Sequence, residues 1–88
     1  MSASKEEIRA FIVETANAHF KGHGVEASLD NGTWRKWTRY VGGENPCKSL
    51  SALTEKVLQK FPINETPRNI ETFHNLDEAA QYVSDHQK

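Results

Sequence analysis

Residues 30 to 40 read Asp-Asn-Gly-Thr-Trp-Arg-Lys-Trp-Thr-Arg-Tyr. Trp34, Trp37 and Tyr40 alternate with Arg35, Lys36 and Arg39. Tryptophan and arginine are the types most enriched at binding hot spots. Aromatic rings framed by cations also suit stacked bases and phosphates. No other stretch of the chain concentrates as many groups able to grip a partner.

Covalent chemistry is less well provided for. Gly42 to Ser49 reads G-x-x-x-x-C-K-S, one residue from the phosphate-cradling pattern G-x-x-x-x-G-K-[ST]. Cys47 replaces the second glycine, and Pro46 removes an amide that the cradle needs, so nucleotide hydrolysis is not expected. What survives is an anion contact from Lys48, Ser49 and nearby helix amides. A helix start and Lys48 favour a thiolate at Cys47. Yet the sequence fixes no histidine base beside it, so Cys47 reads as a packing residue and the protein as a non-enzyme. His19 and His23 have the i,i+4 spacing of a metal pair, but Gly22 interrupts the helix between them, and no thiolate or carboxylate completes a zinc pattern. Neither a metal nor a cofactor is expected. The carboxylates are scattered along solvent faces, with no pair placed for acid–base work.

The elements that must position these groups follow from caps, turns and periodicity. Ser4 with Glu7 makes a capping box. Ile8, Phe11, Ile12, Thr15 and His19 then fall at helical spacing, predicting a helix over about 4–21 that ends at Gly22 and Gly24. Val25, Ala27 and Leu29 alternate with Glu26, Ser28 and Asp30, as in a half-buried strand. Asn31-Gly32 is the strongest short hairpin signal, and a return strand over 33–41 follows. Asn45-Pro46 suits the start of a second helix, whose stripe is Leu50, Leu53, Val57 and Phe61. Residues 62–68 read as a loop, 69–73 as a short strand. Asn75 with Glu78 caps a last helix that buries Leu76, Ala79, Ala80 and Val83.

The order α-β-β-α-β-α predicts a two-layer α+β domain over residues 1–88: a three-stranded sheet with helices on one face. The hairpin register then divides the opening stretch. A two-residue turn puts Trp34, Lys36, Thr38 and Tyr40 on the core face with Val25, Ala27 and Leu29. Lys36 would reach its ammonium to the edge. Trp37 would lie on the open face between Arg35 and Arg39, opposite Glu26. The shifted register would bury two guanidiniums without acids, a costly arrangement.

Bulk properties limit what such a domain can do. With 88 residues and a formal net charge of −1, it lacks room for a deep cavity and has no global basic field. The single cysteine precludes an internal disulfide, and the polar N-terminus lacks the apolar core of a signal peptide. A cytoplasmic protein that meets no membrane is expected, and the two glycosylation sequons at Asn31 and Asn64 read as chance matches. The expected function is non-enzymatic: an adaptor, inhibitor or regulator that binds a protein through Arg35, Trp37, Arg39 and Glu26. The alternatives are nucleic-acid binding, with Lys36, Tyr40, Lys48 and Ser49 adding contacts, and homodimerisation through the open sheet face.

Overall fold

The computed structural model describes residues 3–41 and 50–88. Among them are helices α1 (Lys5–His19), α2 (Trp34–Thr38), α3 (Ala52–Lys60) and α4 (Leu76–Asp85). Two single-turn 3₁₀ segments, Asn31–Thr33 and Ile70–Thr72, precede α2 and α4. Among the described residues there is no strand and no sheet; the sole ladder contact is an isolated antiparallel bridge between Ile63 and Gln87. The expected α+β domain is therefore corrected to a helical one. The β-hairpin goes with it, and so does the open sheet face offered for homodimerisation.

The two long terminal elements form as their caps dictate. Ser4 Oγ accepts from the Glu7 amide at 3.1 Å, and Glu6 and Glu7 place negative charge in the first turn of α1. The chain leaves α1 through Gly22 at φ +85° and Gly24 at φ +75°, backbone angles that glycine alone adopts without strain. Asn75 Oδ1 accepts from the Glu78 amide at 2.8 Å and starts α4. Ile8, Ile12, Thr15 and Ala16 of α1 are buried, as are Leu76, Ala79, Ala80, Tyr82 and Val83 of α4. α1 packs on both α4 and α3. Gln87 locks the pairing of α1 with α4: its side chain accepts from the Ala3 amide at 2.9 Å and donates to the Ala3 carbonyl at 3.0 Å.

The two segments expected as hairpin strands behave differently from one another. Residues 25–28 form no regular element and Leu29 is a bend; the backbone bonds of Ala27 go to a side chain. Asn17 Oδ1 accepts from the Ala27 amide at 2.7 Å, and Asn17 Nδ2 donates to the Ala27 carbonyl at 3.2 Å. One primary amide thus replaces a neighbouring strand. Arg9 Nη2 adds a bond to the Leu29 carbonyl at 2.9 Å. Of the three apolar residues expected inward, Ala27 is buried, Val25 is half-buried and Leu29 is 52% exposed.

Residues 31–38 are helical because Asn31-Gly32 never forms the expected turn. A type I′ turn needs positive φ at both positions, and neither has it. Asp30 Oδ1 instead accepts from the Gly32 amide at 2.9 Å, and Thr33 returns its amide to the Asp30 carbonyl at 3.0 Å. The helix that follows, with the turn after it, buries Trp34, Trp37, Thr38 and Val41, the i, i+3, i+4, i+7 positions of one face. Alternation would have buried Lys36 in place of Trp37. Helical spacing buries both indoles and leaves every cation in water, which is why it wins.

α3 starts at Ala52 under a Ser51 cap; Asn45-Pro46 lies outside the described residues. Leu53, Val57 and Phe61 are buried as expected, whereas Leu50 is half-buried ahead of the helix. The expected third strand is the 3₁₀ segment Ile70–Thr72, tied to α3 by polar bonds. The Ile70 amide donates to Thr54 Oγ1 at 3.0 Å. Ser51 and Thr54 both donate to Glu71 Oε1, at 2.9 and 3.2 Å, and the Ser51 amide donates to Asn69 Oδ1 at 2.8 Å.

The core is centred on aromatic rings. Trp34 and Trp37 meet edge to face at 4.9 Å, and Phe20 meets Trp37 in the same manner at 6.0 Å. Such pairs contribute about 0.5–1.5 kcal/mol each beyond burial. Trp34 Nε1 donates to the Phe73 carbonyl at 2.8 Å, and Phe73 packs on Tyr82 at 4.9 Å. The row of rings thus carries α2 across to α4. No helix among the described residues is long and apolar enough to cross a membrane.

Candidate functional site

The strict amphipathicity of α2 decides what the aromatic-basic stretch offers. Trp37 is 1% exposed, so it is a core residue and not the surface anchor that strand alternation predicts. Trp34 is fully buried, as expected. Tyr40, expected inside, is 57% exposed. The solvent face of α2 and its C-terminal end therefore consist of Arg35, Lys36, Arg39 and Tyr40.

Among the described residues, none of these cations meets a carboxylate. The ion pairs lie elsewhere: Lys5 with Asp77 at 2.8 Å, Arg9 with Glu6 at 3.1 Å, and His86 with Glu65 at 3.2 Å. Glu26, expected to pair with Arg35 or Arg39, is exposed in the irregular segment before α2 and makes neither bond. Arg35 Nη2 instead lies 3.2 Å from His74 Nδ1. Arginine only donates, so Nδ1 of His74 is the acceptor in this contact. The Arg39 guanidinium sits 5.8 Å from the centroid of the Tyr40 ring, at the outer limit of cation–π attraction.

Tyr40 also forms a wall of a shallow depression of about 410 Å³, with His19, Phe20, His23 and Val25 around it. His19 and Phe20 come from the end of α1, and His23 and Val25 from the turn after it. His19 and His23, whose spacing alone resembles a metal pair, thus line a surface hollow, and no group of His, Cys, Asp and Glu able to hold a metal occurs among the described residues. Sequence reading missed this hollow because it joins the end of α1 to Tyr40 across the fold. No local signal marks that juxtaposition.

A second hollow, about 500 Å³, lies where Lys60, Phe61 and Pro62 face Gln87 and Lys88, with Glu7 at its edge. Its charges are mixed, and it lacks an exposed aromatic face. Lys48 and Ser49, offered as anion contacts, and Cys47 lie outside the described residues.

The polar cluster of Ser51, Thr54 and Glu71 has hydroxyls and a carboxylate, but it has a structural use. Ser51 Oγ already accepts the Thr54 amide at 3.1 Å, and Thr54 is fully buried. At Tyr82, burial and then the nearby Glu65 carboxylate raise the phenol above its ordinary value. Its hydroxyl has no hydrogen-bond partner of good geometry among the described residues. This group stands in the core, away from the α2 face.

No protein-family model matches the chain, no curated protein matches it, and no solved structure does.

Proposed function

We propose that the protein is a non-enzymatic binding module that holds a polyanionic partner on the solvent face of α2. One observation carries this reading: Arg35, Lys36 and Arg39 share that face without an acidic partner among the described residues, beside the exposed ring of Tyr40. Charge of one sign, held on a helix whose inner face is locked by two tryptophans, gives a positive surface of fixed shape. The net charge of −1 does not oppose this, because the field that guides an anion is local. The single cysteine supports a reducing compartment, the cytoplasm.

A second reading, an acidic protein surface, draws on Leu29 and Tyr40. These are the exposed large hydrophobic residues among those described, and they bracket α2 in the sequence. They would supply apolar contact between the charges.

Retention on a phosphate-bearing cation-exchange matrix tests the proposal. Arg35→Glu with Arg39→Glu should abolish it. Lys56→Glu with Lys60→Glu on α3 changes net charge equally and should leave most of it. Equal loss in both pairs would show that no particular face is used.

A further inference from the structure

Resting on the polyanion reading above, we infer that the partner is a single-stranded nucleic acid, with a base stacked on Tyr40 over the hollow beside it and phosphates on Arg35, Lys36 and Arg39. Three observations lead there. The first is the ring itself. Tyr40 is 57% exposed and lies next to Arg39, two residues beyond α2, so a strand whose phosphates lie on α2 delivers a base to it. Aromatic faces beside cations are the recurrent platform for unpaired bases.

The second is the hollow. His19, Phe20, His23 and Val25 make a floor of rings and apolar carbon beside Tyr40, open to solvent. Imidazoles add ring faces for stacking and ring nitrogens for base edges, the groups used to recognise splayed-out bases. The carboxylate side chains of an acidic protein carry no aromatic face to stack there.

The third is what the surface lacks. Stable protein–protein contacts centre on a desolvated apolar core, and lysine is depleted in them. Here the face is Lys36 and two arginines, and the exposed Leu29 and Tyr40 lie on either side of α2 in the sequence. Duplex is also a poor fit. α2 has five residues, about 7.5 Å at 1.5 Å per residue, and its start is continuous with the preceding 3₁₀ turn. It cannot lie along a major groove as a recognition helix does.

Fluorescence anisotropy separates the outcomes. Labelled oligo(dT), oligo(U), the corresponding duplex and poly-glutamate are titrated against the intact chain, Tyr40→Leu, and Arg35→Glu with Arg39→Glu. The intact chain should prefer the single strands. Its log K should fall with log salt at a slope of about −2, from three phosphate contacts at about −0.7 each. Tyr40→Leu should weaken single-strand binding about fivefold, the low end of one stacked base, and keep that slope. Upfield shifts of the Tyr40 ring protons on adding oligo(dT) should accompany stacking. The ratio of oligo(U) to oligo(dT) affinity distinguishes RNA from DNA.

If Tyr40→Leu binds single strands like the intact chain, or poly-glutamate binds as tightly as they do, base stacking is wrong and the polyanion reading stands. If neither poly-glutamate nor any nucleic acid binds, both are wrong.

Discussion

The joint between α3 and the 3₁₀ segment at residues 70–72 and the outer face of α2 are both dense in polar groups, but they differ in saturation. At the joint, Ser51, Thr54, Asn69 and Glu71 answer one another, and the fully buried Thr54 also accepts the Ile70 amide. On α2, Arg35, Lys36 and Arg39 carry as much hydrogen-bonding capacity and meet no carboxylate among the described residues. The contrast separates two uses of polarity. Groups that satisfy each other hold segments together, and groups left in water are available to something else.

The largest expected effect breaks the saturated side. Thr54→Val keeps the shape but strands the Ile70 amide and a hydrogen-bonding position of Glu71. It should lower the unfolding free energy by about 1–3 kcal/mol, measured by urea titration. No change would show that the joint is ornamental. Next, the two tryptophans refine the contrast inside the core. The Trp34 indole N–H has the Phe73 carbonyl, whereas Trp37 Nε1 has no acceptor among the described residues. Trp34→Phe should therefore cost about 1 kcal/mol more than Trp37→Phe.

A pH profile asks the same question of Tyr82. Its phenol is raised in the folded state, by burial first and Glu65 second. The unfolded chain releases that proton at about pH 10 while the folded chain keeps it. The stabilisation is thus complete below about pH 10 and lost as pH rises through the raised value. Thermal melts across that range should show a decline that Tyr82→Phe flattens. The smallest effect is on the unsaturated side. Arg35→Glu with Arg39→Glu should leave unfolding free energy within about 0.5 kcal/mol of the original while removing binding. A large loss of stability there would mean that the cations serve the fold.

The sequence made some of this legible. Ser4 and Asn75 announce α1 and α4, because a cap is a local event between residues three apart. The stripes of α1, α3 and α4 were readable for the same reason. Asn31-Gly32 misled because its hairpin meaning depends on positive φ, and Asp30 competes by taking the Gly32 amide into a turn that opens a helix. Within 34–41 both periods were present. The alternating set, Trp34, Lys36, Thr38 and Tyr40, contains a charge; the helical set, Trp34, Trp37, Thr38 and Val41, contains none. Counting the charge against the strand would have put Trp37 inside. The cations of the site were visible in composition alone. The hollow beside Tyr40 was not, since it exists only once α1 and α2 meet.

The embrace of α1 by α4 has a consequence for how the chain reaches its structure. Ala3 bonds to Gln87 and Lys5 to Asp77, so the first helix finds its main support among the last residues described. Long-range closure of this kind slows folding relative to bundles built from neighbouring helices. During synthesis, Ile8 and Ile12 would have no α4 to cover them until Leu76 and the residues after it emerge. A nascent chain halted before that point should expose that stripe and be held by a chaperone. Once α4 has emerged, the chain should bury it in one cooperative step.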